Sequence, residues 1–447
     1  MNKSTNPRAA ALFILHDIYH KGAYANLALN KGLKQASLSN VDRRLATELV
    51  YGTVRTTGTL DWYLGKVVKR PLWKMLPLLR TLLRLGAYQI LYLDRIPDAA
   101  AVNESAELCR HFVNENSVSL VNGSLRQLSR VKGELHFPEG EEHLLERIAL
   151  EEFHPEWLVR RWKYRFGLDE AIALCRYDNT VPPLSLRVNT LKTTREALRE
   201  KLQEAGIGTE LSKWSPDGLL CHKLPSLEQL MKDFGTCLYI QDESSMLDAA
   251  ALAPKPGETV LDLCSAPGGK ATHLAQKMQN QGKLVAMDIY DHKLELVRAN
   301  AERLGITCLS TRKADGTVFL PEWENQADKV LVDAPCSGLG VLNRRVEARW
   351  TKVEKHLSQF PPLQKKILDN AARYVKSGGR LLYSTCTLEQ DENTRVRAAF
   401  LKAHPEFKSA SFPHPVTGAP LEELQILPWR DGIDGFYLCL FEKQKED

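Results

Sequence analysis

Apolar residues in the first third of the chain recur at helical spacing. Ala11, Leu12, Leu15, Ile18 and Tyr19 share one face of a helix that Pro7 opens at its first turn. Asn40 is expected to cap a second helix, with Leu45, Leu49 and Val50 facing inward. Residues 76–93 are apolar almost all round, which predicts a central, buried helix. Pro97 starts a further helix carrying Val102, Ala106 and Leu108, and 118–131 completes the set. Strand-type alternation is absent, so 1–133 reads as an all-α domain.

Past Gly133 the pattern changes. An acidic stretch around Pro138-Glu139-Gly140 marks a boundary, and helical segments follow over 156–177. Strand-like runs over 184–188 and 219–224 flank a helix over 195–205. Residues 134–240 are therefore expected to hold linker helices and a small α/β subdomain. From Thr259 strands and helices alternate. Strands are predicted over 260–263, 284–287, 329–332, 380–384 and 436–441. Helices are predicted over 270–279, 292–304, 363–375 and 392–403, the third ending at Gly378-Gly379. That rhythm builds a doubly wound, Rossmann-like parallel sheet over 241–447, which binds ligands outside the carboxyl ends of its strands.

Length and composition agree with this division. At roughly 150 residues per domain, 447 residues suggest about three domains. With 43% hydrophobic and 26% charged residues, a disordered or fibrous chain is excluded. The net charge of +5 hides an asymmetry: 1–133 holds 19 Lys and Arg against 9 Asp and Glu, while the remainder is net −5. A basic first third points to an anionic partner, nucleic acid first; a solvated helical surface is the plainer reading. Nine scattered cysteines without a C-x-x-C suit a reduced, cytoplasmic chain and argue against zinc ribbons. The apolar run 9–15 stops at His16-Asp17, unlike a signal peptide, and no run of about 18 apolar residues predicts a membrane span. His16 and His20 lie one helical turn apart but lack a third ligand, so no metal is expected.

The chemistry concentrates at the predicted strand ends. Asp262-Leu-Cys-Ser-Ala-Pro-Gly-Gly-Lys270 follows the first strand of the alternating region. Gly268 and Gly269 let the backbone approach a ligand, and the next helix offers free N–H groups to an anion. The string is neither G-x-G-x-x-G nor a phosphate-binding Walker loop. Asp288, 20 residues after Gly268, ends the second strand where nucleoside-binding folds place an acid for ribose hydroxyls. Asp315-Gly316 is read as the end of a further strand between 284–287 and 329–332; Asp333-Ala-Pro-Cys-Ser-Gly338 follows the strand 329–332 and Thr385-Cys386-Thr387 the strand 380–384. Cys336 and Cys386 thus stand at reactive positions. Cys109, Cys175, Cys221, Cys237, Cys308 and Cys439 are read as packing residues, as free cysteines usually are.

These residues resemble the RNA cytosine-5 methyltransferases of the NOL1/NOP2/Sun family. The likeness covers roughly 156–442 and includes Arg187-Val-Asn-Thr190, Gln241-Asp-Glu-Ser-Ser245, the loops just described and Asp434-Gly-Phe436. The first third resembles the NusB-type RNA-binding domain through Val41-Asp-Arg-Arg44, Tyr51-Gly52 and Leu85-Gly-Ala-Tyr88. That fusion is typical of the bacterial RsmB (Sun/Fmu) branch. The resemblance implies transfer of a methyl group from S-adenosyl-L-methionine to C5 of a 16S rRNA cytosine, cytosine 967, by a monomeric enzyme. It assigns the attack on C6 to Cys386, release of the product to Cys336 and contact with the base edge to Asp333, with Lys270 lining the pocket and lowering a thiol pKa. It implies cofactor contacts from Cys264, Ser265, Ala266, Pro267, Gly268, Gly269, Lys270, Asp288, Asp315 and Asp333. The chain departs from the branch at Arg344-Arg-Val-Glu-Ala348 and at Leu388-Glu-Gln-Asp-Glu-Asn393. A tRNA cytosine-5 methyltransferase and a non-catalytic RNA-binding or antitermination factor remain the alternatives. A DNA cytosine methylase fits less well, because it lacks the second, T-C cysteine.

Overall fold

Asn6 starts the first helix, Pro7–Lys21: its side-chain oxygen accepts from the N–H groups of Arg8 and Ala9. The structure, a computed structural model, describes residues 5–223 and 226–445. It divides into two units, Met1–Val181 with Leu342–Glu354, and Pro182–Val341 with Lys355–Asp447.

The first unit is helical throughout. Pro77–Tyr92 is the expected buried helix, with Leu79, Leu82, Leu83, Leu85 and Ile90 in one core with Leu12, Leu15, Leu49 and Leu125. The cap of Asn40–Arg55 is Ser39, not Asn40; its hydroxyl accepts from Asp42 N–H. Two helices, Ala25–Gln35 and Thr57–Val67, were not individually legible. The former buries only Ala25 and Leu29, too few to set a period. The unit runs past residue 133 to include Leu144–Glu151, Glu156–Phe166 and Leu168–Asp178. Gly167, at φ 90°, breaks the expected 156–177 segment into two helices.

Residues 342–354 complete this unit from far along the chain. Val346 joins the helical core, and Trp350 Nε1 donates to the Val54 carbonyl at 2.7 Å. A Cβ at Gly58 would lie 2.6 Å from the Trp350 ring, so the glycine makes room for the indole. Arg349 is fully buried and donates to the carbonyls of Phe153 and Asp178 and to Asn179 Oδ1. Burial pushes its pKa down to about 10.

The second unit holds two sheets. The smaller is antiparallel, in the order Gly208–Leu211, Gly218–Lys223, Leu184–Val188, Leu238–Ile240. Leu224, expected in the second of these strands, lies outside the described residues. The larger sheet has eight strands: β1 Thr259–Asp262, β2 Lys283–Asp288, β3 Leu309–Lys313, β4 Ala327–Asp333, β5 Val375–Thr385, β6 Phe407–Ser409, β7 Glu423–Ile426 and β8 Phe436–Lys443. Its order is β6-β8-β5-β4-β1-β2-β3, with β7 also paired to β8. Strands β1 to β5 are parallel, as the alternation predicts; β6, β7 and β8 pair antiparallel and close one edge. Gly378 and Gly379 lie inside β5 instead of stopping a helix, since the helix Phe360–Tyr374 passes directly into the strand.

Candidate active site

Strand order reverses between β1 and β4, and the crevice beyond their carboxyl ends is where such sheets bind ligands. Asp262 ends β1 and Asp333 ends β4. The loop after β1 turns at Gly268, φ 99°, where a Cβ would meet Val297 Cα at 3.1 Å. The helix Gly269–Lys277 begins there. Arg187, fully buried, clamps its start by donating to Gly269 O, Thr272 Oγ1 and Gln241 Oε1. Asn189 accepts from Gln276 of the same helix at 2.8 Å. Two motifs of the small sheet and the segment after it thus hold the ligand helix in place.

Within this loop Ser265 Oγ and Asp262 Oδ2 are buried without a hydrogen-bond partner among the described residues. Burial pushes Asp262 up to about 8, with nearby Asp333 adding to it. Burial likewise holds the Cys264 thiol well above its ordinary value. Asp288 ends β2, and its Oδ1 accepts the Tyr290 N–H at 3.0 Å. Asp315 lies two residues past β3; its Oδ1 accepts the N–H and hydroxyl of Thr317, which hold the carboxyl below the usual range.

The two singled-out cysteines meet. Cys336 Sγ and Cys386 Sγ are 3.3 Å apart, and both residues are partly exposed. Their loops are bolted together. The Ser337 and Thr387 hydroxyls are 2.7 Å apart, and Glu392 Oε2 accepts from Ser337 N–H and Gln364 Nε2, each at 2.9 Å. Asn393 accepts from Thr385 Oγ1 at 2.6 Å and donates to Thr387 O at 3.0 Å. Gly340 N–H donates to Cys386 O, and Gly435 N–H to Gly340 O. A Cβ at Gly435 would lie 2.8 Å from Gly340 Cα, which is why Asp434-Gly-Phe436 carries glycine. The hydrogen bond with Cys386, then burial, pushes the Cys336 thiol well above its ordinary pKa.

Lys270 sits between two carboxylates. Its Nζ is 2.5 Å from Asp248 Oδ2 and 2.6 Å from Asp333 Oδ1, with the Phe436 ring 4.5 Å away. Burial opposes its charge, but the carboxylates outweigh burial and hold the ammonium above its ordinary pKa. Lys270 is thereby committed to carboxylates; its charge also lowers the Cys264 thiol, against the larger effect of burial.

Three family descriptions match successive stretches: NusB over 5–130, a ferredoxin-like domain of RsmF/B-like methyltransferases over 154–227, and 16S rRNA methyltransferase RsmB/F over 249–442. The probable ribosomal RNA small subunit methyltransferase B of Bacillus subtilis (strain 168) is 38% identical, across 99% of this chain and 100% of that protein. This chain belongs to the RsmB/F methyltransferase family. Among solved structures, PH0851 is 29% identical with a TM-score of 0.86, covering 98% of this chain and 99% of its own. A methyltransferase homolog protein from Pyrococcus horikoshii is 27% identical with a TM-score of 0.58, covering 67% of this chain and 99% of its own.

For this RsmB/F member, the singled-out residues fall at the ends of β1 to β5, in the loops that follow or, for Gly269 and Lys270, in the first turn of the helix after β1. Sequence reasoning missed the supports Asp248 and Gln364, and named Ser384, Glu392 and Asn393 within motifs without giving them a role. Asp248 had a signal, being a lone carboxylate amid the apolar residues of Met246–Leu252. The His16 and His20 rings lie 4.8 Å apart at a tilt of 42°, and no group of three His, Cys, Asp or Glu able to hold a metal occurs among the described residues. No helix among them is long and apolar enough to cross a membrane.

Proposed function

We propose that this methyltransferase acts on 16S rRNA, transferring a methyl group from S-adenosylmethionine to C5 of one cytosine, cytosine 967, through a covalent adduct with Cys386. The observation that carries this reading is the meeting of two thiols at 3.3 Å beside the strand-end carboxylate Asp333. A single nucleophile would need one cysteine; attack followed by release gives work to both.

The cofactor site fits on two counts. The Gly268 turn leaves a cradle that a Cβ would fill, and Ser265 Oγ is a buried polar atom without a protein partner among the described residues. Residues 264–270 would hold the methionine and sulfonium portion, Asp288 the ribose hydroxyls and Asp315 the base. Bound S-adenosylmethionine supplies the methyl group as an electrophile.

Cytosine C5 is a weak nucleophile. Addition of the Cys386 sulfur to C6 makes the ring an enamine and raises electron density at C5. Asp333 faces the N3 and N4 edge and accepts a hydrogen bond from the N4 amino group, which selects cytosine. After methylation C5 still carries a proton; its removal, the release step to which Cys336 is assigned, re-forms the C5–C6 double bond as the C6–S bond breaks and Cys386 leaves as a thiolate. The basic helical unit holds phosphates and orients the RNA without reading sequence. A paired cytosine must leave its stack first, which costs less in an open loop.

Bisulfite sequencing of ribosomal and transfer RNA from a deletion strain tests the reading. One 16S cytosine should lose its methylation. Loss confined to tRNA, or no loss, overturns it.

A further inference from the structure

Asp248 lies on the helix Glu243–Leu252 and is fully buried, with Met246, Leu247, Ala249, Ala251 and Leu252 around it on that helix. An ionised carboxyl in such a setting needs compensation. Its Oδ2 receives two partners, the Lys270 ammonium at 2.5 Å and the Ser384 hydroxyl at 2.9 Å. Its Oδ1 has none among the described residues. Lys270 then reaches Asp333 Oδ1, and Ser384 Oγ lies 3.4 Å from that same oxygen. Ser384 directly precedes Thr385 and Cys386. One buried carboxylate therefore touches both the partner of Asp333 and the strand end bearing Cys386.

The charge count gives this contact its meaning. Lys270 with Asp333 alone would be a neutral pair, the ammonium free to swing over either carboxylate oxygen. With Asp248, one cation lies between two anions, fixed from behind, and the set keeps a net negative charge. Among the described residues Asp333 is engaged through Oδ1, and its side chain is 31% exposed.

We propose that Asp248 is a positioning residue: it anchors Lys270 so that Asp333 is held by one oxygen and offers the other to the cytosine edge. This rests on the reading that the site methylates cytosine. The groups facing Asp248 are Lys270 from the ligand helix, Asp333 from β4 and Asp262 from β1; β5 offers the uncharged Ser384 and β8 the Phe436 ring. Burial, reinforced by Asp333 and opposed by Lys270, holds the Asp248 carboxyl above the usual range. Its protonation at mildly acid pH would release Lys270 to Asp333 alone.

The test uses the full chain with S-adenosylmethionine and 16S rRNA, reading 5-methylcytosine. Asp248→Asn keeps the shape and an acceptor for Ser384 but removes the charge. It should lower kcat about 10- to 100-fold, with KM for RNA nearly unchanged. The acid limb of its pH–rate profile should move to lower pH. In a Lys270→Met background the same substitution should cost almost nothing further, because Asp248 acts through Lys270. A folded Asp248→Asn with wild-type kcat and pH profile overturns the proposal, as does an equal loss in both backgrounds. Asp248→Leu, which fills the site without a polar group, should lose kcat as well. Full activity there would also overturn the proposal. If the wild type makes no 5-methylcytosine, the underlying reading falls; an active wild type with an unaltered Asp248→Asn removes this proposal alone.

Discussion

The sulfur atoms of Cys336 and Cys386 lie 3.3 Å apart although the residues are 50 positions apart in the chain. At that distance one thiol can attack a ring carbon while the other takes a proton from the neighbouring carbon. The two substitutions then differ in kind. Cys386→Ala should form no covalent RNA adduct and no product. Cys336→Ala should attack and methylate but stall, so that a protein–RNA band survives denaturing electrophoresis. An adduct with Cys386→Ala and none with Cys336→Ala would reverse the two roles.

Asp288 keeps one carboxylate oxygen on the Tyr290 N–H, and the other carries no hydrogen bond among the described residues. A ribose hydroxyl there would gain a charge-assisted hydrogen bond worth about 1.5–3 kcal/mol. Asp288→Ala should weaken S-adenosylmethionine binding roughly 10- to 100-fold by calorimetry. Unchanged affinity in the folded variant would take Asp288 out of the cofactor site.

His273 is buried against Asp217, Nε2 to Oδ2 2.8 Å, with Lys277 on the same oxygen. Burial pushes its pKa down to about 4, Asp217 only partly opposing. The unfolded chain, with an ordinary imidazole near 6.5, takes the proton first as pH falls. The stability from this histidine is therefore complete above about pH 6.5 and is lost as pH drops toward the folded value, by roughly 3 kcal/mol. Asp217, held below the usual carboxylate range, extends the loss further into acid. Denaturant midpoints should fall between pH 7 and pH 5 in the wild type, and less so in His273→Gln. Parallel pH profiles for the two proteins would rule this out.

Arg349 donates to two carbonyls and an amide oxygen from a fully buried position. Arg349→Ala would strand those three acceptors, at about 1–3 kcal/mol each. Arg349→Lys should recover little, since one ammonium cannot reproduce a planar fork. A lysine variant with wild-type thermal stability would refute the claim.

What was legible in the sequence follows a physical rule. The loops of Asp262–Lys270, Asp333–Gly338 and Thr385–Thr387 were readable because glycines, thiols and carboxylates cluster where strands end. The supports were not readable, because each acts through a partner far away in sequence. Asp248 needs Ser384, 136 residues on, and Gln364 needs Glu392, 28 on. No local period marks such pairs. The antiparallel edge escaped for a related reason: β6 and β7 are only three and four residues long, too short to show alternation.

Residues 342–354 leave the loop of Cys336 and enter the core of the helical unit, where Val346 and Trp350 are packed. The two halves of this protein are therefore not exchangeable cassettes. A fragment begun after residue 181 would carry an indole and a valine stripped of their cover, together with a buried arginine without its acceptors, on the strand of chain that continues from the reactive loop. Recombination that traded the helical unit for another would have to trade this short insert with it, so the genetic boundary between the helical unit and the sheet unit falls in two places, not one.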